Sequence, residues 1–308
     1  MAAPWNLQDA PDLHGKVAVV TGANAGLGFE TARALRRKGA LVVMACRNEA
    51  KARSAIAELE ASSLGPTPEF VHLDLSDTES ARNAASAISE SHPTIDFLIN
   101  NAGIMGLRGP DGPQRQMQTN LLGHVAFTVG LLPALEAAGG RIVMLASNMH
   151  RRGKLQASDP LSINGQKPMT AYGSTKLADL LFAFEADRRL RASRSRVSIR
   201  AAHPGWSRSE LAGKGPAEGG SKFSQRMGTF AGKHFGQKTE RGALPTLRAA
   251  LDPSIPPGAY VGPKGVFELF GEPTTVGASK AATDPVLARA LFDASLNAVD
   301  ATWPTPEN

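Results

Sequence analysis

The 308-residue chain has a single cysteine, Cys46, so no intrachain disulfide can form. A lone thiol is compatible with a reducing compartment. Residues 1–13 lack the basic start and apolar stretch of a secretory signal; they are polar and interrupted by proline. No apolar run reaches the length needed to span a bilayer. These absences lead to the expectation of a cytoplasmic protein without a membrane anchor. No run of basic residues is interleaved with aromatics, so no nucleic-acid surface is expected. No internal repeat is visible, and no metal site is expected. The formal charge is only 34 − 28 = +6. It serves solubility, or attraction for an anionic cofactor or substrate.

What is present is an alternation. With 42% hydrophobic residues the chain can build a sizeable core. Short apolar runs at 16–21, 41–45, 70–74, 95–100, 141–146 and 196–202 read as strands. Between them, helical patterns run over 26–38, 49–59, 80–89, 116–138 and 171–190, with Asp77 as the N-cap of the third. Strands that are apolar throughout, separated by helices, indicate a parallel sheet covered on both faces. Right-handed crossovers then make it doubly wound. Helices over 239–251 and 285–299, and a strand over 259–261, complete the pattern. The tail from Trp303 is expected to be loose. Residues 206–241 are rich in Gly, Ser and Lys, and read either as a mobile lid or as a surface excursion.

Between the first strand and the first helix stands Gly22-Ala-Asn-Ala-Gly26-Leu-Gly28. A glycine-rich turn there lets backbone approach a pyrophosphate, with the helix N-terminus facing its charge. The second strand ends in Ala45-Cys-Arg-Asn48, with no acid from Leu41 onward. An arginine at this place suits a ribose 2′-phosphate, so NADP(H) is expected over NAD(H). Asp74, after the third strand, serves either the adenine amino group or a strand-end cap.

Tyr172 and Lys176 are four residues apart, which puts both on one face of a helix. A phenol has a reference pKa of about 10. A fixed ammonium beside it favours the phenolate, so such a pair can move a proton near neutral pH. Near Ser147, His150 either touches substrate or is a solvated loop histidine, the second being expected. Arg151, Arg152 and Lys154 are expected to be a solvated charge run.

The glycine turn, Asn100-Asn-Ala-Gly103, Asn120, Ser147 and Tyr172/Lys176 occur in one order. From about Lys16 to Leu211 the chain resembles the short-chain dehydrogenase/reductase family. The resemblance implies one Rossmann domain over 1–308, with a cofactor half at about 14–150, a catalytic and substrate half at about 151–300, and a lid at about 206–241. It implies Tyr172 as acid/base, Lys176 as its partner and ribose ligand, Ser147 as holder of the substrate oxygen, and Asn120 as anchor of a relay water. Around the cofactor it places Gly22, Asn24, Gly26, Leu27, Gly28, Arg47, Asp74, Leu75, Asn101, Ala102, Gly103, Tyr172, Lys176, Pro204, Gly205 and Ser209. Ala25 stands where many NADP-using members carry a basic residue, which leaves that task to Arg47. Ser209 stands where threonine is usual. The insert after Ser147, together with Ala45-Cys-Arg-Asn48, looks most like the branch holding retinol dehydrogenases and protochlorophyllide reductases.

The expected activity is hydride transfer between nicotinamide and a carbonyl or alcohol of a medium-sized hydrophobic substrate. Alternatives are reduction of a carbon–carbon double bond, as in protochlorophyllide reductase, and a non-catalytic NADPH sensor. The expected assembly is a monomer or homodimer.

Overall fold

A computed structural model describes residues 5–62, 64–206 and 238–303. The expected lid lies outside these residues, except for Trp206 and 238–241; Ser209 also lies outside them.

In chain order the described elements are β1 (Val17–Thr21), α1 (Gly26–Arg37), β2 (Leu41–Cys46), α2 (Glu49–Glu60), β3 (Glu69–His72), α3 (Thr78–Ser91) and β4 (Phe97–Asn100). The long helix α4 (Gly112–Ala138) follows. Then come β5 (Arg141–Leu145), α5 (Pro168–Ala192), β6 (Ser198–Ala202), α6 (Thr239–Leu251), β7 (Tyr260–Pro263), β8 (Pro273–Thr275) and α7 (Pro285–Ala298). The sheet order is β3-β2-β1-β4-β5-β6-β7-β8. All neighbours are parallel except β7 and β8.

The doubly wound parallel sheet is therefore as expected, with one added antiparallel edge. β8 is a three-residue Pro-Thr-Thr strand with no apolar run to announce it. The fourth strand begins later than expected because the amide of Ile95 bonds to Ala134 O, at 3.0 Å, instead of joining the sheet.

Alternation along each strand feeds two apolar layers. Ile142 packs with Phe127, Phe182 and Phe292 under α3, α4, α5 and α7. Its neighbour Val143 packs with Val20, Leu35 and Leu247 under α1 and α6. Trp303 is buried rather than loose: its ring meets Phe292 edge-on at 5.1 Å, and Phe182 and Phe292 stack at 5.0 Å. Such aromatic pairs are worth about 0.5–1.5 kcal/mol beyond their burial, which is enough to pin the chain after α7.

Helix α4 corrects a second expectation. Its most apolar window has a mean hydropathy of 1.5, long and apolar enough to cross a bilayer, yet 67% of that window is buried inside the protein. Glycines, Thr128 and His124 interrupt the apolar run and hide its length in the sequence. The helix is regular over Gly112–Met117 and Gly123–Ala138, with a π-helical turn at Gln118–Leu122 between them. Gly139, at φ +66°, ends it in the left-handed conformation that favours glycine.

Strand order reverses between β1 and β4. In open α/β sheets ligands bind at the carboxyl ends of the strands beside such a switch.

Candidate active site

β1 delivers Thr21 to the switch point, and the glycine turn follows. Gly22 and Gly26 have φ of +65° and +59°. A side chain at Gly28 would put its Cβ 2.4 Å from Gly22 O and 2.5 Å from Asn101 Nδ2, so the helix packs there only as glycine. The turn is stitched to the loop after β4. Thr21 Oγ1 accepts from the amides of Asn101 and Ala102 at 2.9 Å each, and Asn101 Nδ2 donates to Thr21 O at 2.9 Å. Helix α1 starts at Ala25 without a side-chain cap. Its first amides are open to an anion, as a dinucleotide site requires.

A cleft of about 420 Å³ opens over this turn. Of the expected cofactor residues, Gly22, Asn24, Gly26, Leu27, Gly28, Arg47, Asp74, Leu75, Asn101, Ala102 and Gly103 line it. Lys51 also lines it, and the sequence reading passed it over. Asn48 caps α2 by accepting from Lys51 N at 2.9 Å, which sets Lys51 one turn behind Arg47 on the same rim. Arg47 Nη1 lies 3.9 Å from Asp74 Oδ2. Burial pushes the Asp74 carboxyl up, but bonds from Ser76 and the Arg47 charge outweigh it and hold the group below its ordinary range. Pro204 and Gly205 follow β6; Gly205 has φ +66° and donates its amide to His203 Nδ1 at 3.2 Å.

At the inner end, Ser147 follows β5. Its Oγ accepts from Met149 N at 3.2 Å, so its own proton remains available to a substrate oxygen. Tyr172 and Lys176 lie on α5, with Lys176 Nζ 5.8 Å from the centre of the Tyr172 ring. The ammonium is buried and donates to Leu145 O at 2.7 Å and to Asp179 Oδ2 at 2.8 Å. A Cβ on Gly103 would stand 3.8 Å from Nζ, so the amine sits against the floor of the cleft. Burial disfavours the charged lysine, yet Asp179 and Tyr172 more than offset it and raise its pKa. Burial pushes the Asp179 carboxyl up to about 6, against the pull of Lys176.

Asn120 occupies the π turn and is fully buried. Its side chain bonds to Ile104 and to Thr175 Oγ1, and Thr175 Oγ1 donates to Tyr172 O at 2.8 Å. An exposed polar face, the bland account of an asparagine in a helix, does not apply. Its carbonyl accepts from His124 Nδ1 at 2.9 Å. A carbonyl can only accept, so His124 carries its proton on Nδ1 and Nε2 accepts from Thr21 Oγ1, 3.0 Å away. Burial pulls His124 down to about 4; the Asn120 bond opposes this and the Lys176 charge adds to it.

His150 corrects an expectation. It is 1% exposed, not solvated. Nδ1 donates to Ser147 O at 2.7 Å and Nε2 accepts from Ser279 N at 3.2 Å, which leaves no free nitrogen for a substrate. Arg151 is likewise not simply solvated: it donates to Glu268 Oε1 at 3.1 Å and to Gly277 O at 2.9 Å. Arg152 and Lys154 are exposed as expected.

The family model described as short chain dehydrogenase matches residues 16–218. The chain belongs to the short-chain dehydrogenase family, whose oxidoreductases use nicotinamide cofactors. Among its curated relatives is mouse retinol dehydrogenase 12, 42% identical over 204 residues. That match covers 64% of this chain and 63% of the relative, so the chain spans less than two thirds of the relative's length. Relatives of this kind place the chain on the retinol dehydrogenase side of the family. An uncharacterised protein from Mycobacterium paratuberculosis superposes with TM-score 0.77 and 34% identity, over 98% of this chain and 100% of that one. A short chain dehydrogenase from Shigella flexneri 2a, solved with NADP, superposes with TM-score 0.57 and 27% identity, over 68% of this chain and 85% of that one.

Proposed function

We propose that the protein is an NADP(H)-dependent oxidoreductase that interconverts a medium-sized hydrophobic carbonyl compound and its alcohol. The observation that carries this is the buried Lys176 ammonium beside Tyr172, at the inner end of a cleft whose outer rim bears Arg47 and Lys51. The uncapped start of α1 and the close approach at Gly28 fit a pyrophosphate, and the two rim cations fit a 2′-phosphate. Similarity to retinol dehydrogenases supports an apolar substrate.

When bound, NADPH would supply hydride to the carbonyl carbon in reduction, and NADP would take hydride from the alcohol carbon in the reverse direction. The chain's own groups handle the oxygen and the proton. The Ser147 hydroxyl donates to the substrate oxygen and fixes it near Tyr172. In reduction, Tyr172 Oη passes its proton to that oxygen as negative charge develops there. The Lys176 ammonium stabilises the phenolate left behind and offers an N–H to the nicotinamide ribose. Asn120 holds α4, α5 and the 101–104 loop in register.

NADPH oxidation should be followed against retinal and a panel of hydrophobic aldehydes and ketones, with product analysis. Tyr172→Phe is expected to cut turnover at least about 100-fold while NADPH fluorescence still reports binding. Undiminished turnover in this variant overturns the proton route. A product reduced at carbon–carbon moves the assignment to a double-bond reductase. NADPH binding with no turnover by the unaltered protein leaves a nucleotide sensor.

A further inference from the structure

Among the described residues Asp179 is the one buried carboxylate against the proposed proton-transfer pair, and no role assigned so far uses it. It lies one helical turn beyond Lys176 on α5 and is 1% exposed. Its Oδ2 accepts from Lys176 Nζ at 2.8 Å, while Oδ1 is buried without a partner. A buried, unpaired carboxylate oxygen is costly and persists where the charge has work to do.

We propose that Asp179 is a positioning residue for Lys176: its carboxylate keeps the buried ammonium charged and takes one of its three N–H bonds. This deepens the function proposed above and rests on it. An ammonium has three donors. Leu145 O takes one and Asp179 Oδ2 another, so one is left to point into the cleft beside Gly103. Rotation about the terminal bond is thereby fixed. The charge argument is independent of the count. A buried amine without an anion beside it loses its proton, often by several pKa units, and a neutral amine cannot stabilise a phenolate.

The other groups facing the pair do not replace the carboxylate. On α4, His124 is neutral at pH 7, with its pKa lowered to about 4 by burial. On β7, Tyr260 is buried, and burial raises its pKa well above that of an ordinary phenol. Glu268 and Arg151 act on Tyr260 and pair with each other. Tyr172 is neutral when it carries its proton, so Asp179 alone supplies a standing negative charge among the described residues.

The test is a titration of the Lys176 ε-carbon by NMR in the full chain, assigned with Lys176→Arg. In the unaltered protein the midpoint is expected above the ordinary lysine value of about 10.4; a midpoint below about 9 sinks the proposal whether or not any variant folds. In Asp179→Asn, which keeps the size and one acceptor oxygen, the midpoint is expected to fall by at least about one unit. An unchanged midpoint overturns the proposal. The kinetic counterpart is the pH profile: the kcat/KM of Asp179→Asn relative to wild type should be constant well below the lowered Lys176 midpoint that the NMR titration gives and should fall as the pH rises through it. A merely structural loss would lower the whole profile by one factor, and that result also overturns the proposal. The NMR readout needs no turnover. Absence of any substrate would therefore count against the proposed function and leave the Lys176–Asp179 coupling to be judged on its own.

Discussion

Asn120 clasps the backbone of Ile104 on both sides: its Oδ1 accepts from Ile104 N at 2.8 Å and its Nδ2 donates to Ile104 O at 2.9 Å. The π turn makes this possible. It inserts a residue into α4 and aims the Asn120 side chain across the cleft floor rather than along the helix. The Asn-Asn-Ala-Gly loop is thereby held between β4 and α5.

Replacing Asn120 by alanine leaves Ile104 N, Ile104 O and Thr175 Oγ1 without these bonds. Ile104 is half-buried, so water can recover part of the loss. A destabilisation of about 1–3 kcal/mol is expected, read by urea denaturation. Weaker NADPH binding should accompany it, because Gly103 packs directly on the Asn120 carboxamide. Asn120→Asp keeps the acceptor for Ile104 N but loses both donations, so it should rescue little. Full rescue by aspartate would show that the donor half of the clasp is idle.

Much of this site was legible in the sequence because its signals are local. Gly22 and Gly26 take left-handed backbone, and Gly28 faces a carbonyl, so each stands at its place for a reason within a few residues. The Tyr172/Lys176 spacing is helical geometry. The rest depended on contacts across the fold. His150 reads as a loop residue until Ser279, from the far end of the chain, arrives over its Nε2. Trp303 reads as tail until α7 brings it to Phe292. Asp179 did leave a trace: an acid inside the otherwise apolar run Leu-Ala-Asp-Leu-Leu, three residues after Lys176 and so on its helix face. Buried charge next to a candidate lysine was the sign available there.

Cofactor choice should rest on two side chains. Arg47 is largely exposed, and its contact with Asp74 is long, so it is free to turn toward a 2′-phosphate. Lys51 lines the same rim. Arg47→Ala is expected to lower the preference for NADPH over NADH about tenfold, as loss of one charge-assisted contact of about 1.5 kcal/mol implies. Arg47→Ala with Lys51→Ala should lower it further. The comparison is of the two dissociation constants at fixed ionic strength, since exposed charges are screened. If the double variant keeps the wild-type ratio, the 2′-phosphate assignment fails.

The buried histidines predict how stability responds to acid. His124 is held near 4 by burial and His150 is pulled to about the same value, while an unfolded histidine titrates at about 6.5. Between those values the unfolded chain binds more protons than the native one, so stability present above pH 6.5 is lost as the pH falls toward 4. Each histidine contributes a slope of at most about 1.4 kcal/mol per pH unit. Asp179, raised to about 6, works in the opposite sense over part of this range, so the quantity to follow is a difference between proteins. His124→Asn keeps an amide donor for Asn120 O and cannot titrate. It should be less stable than wild type at pH 7, yet the gap should narrow steadily from pH 6.5 to pH 4.5 in denaturation series at matched salt. Parallel curves would mean that His124 takes up its proton as readily in the native state as in the unfolded chain, and the burial that holds it neutral between Thr21 and Asn120 below pH 6 could not stand.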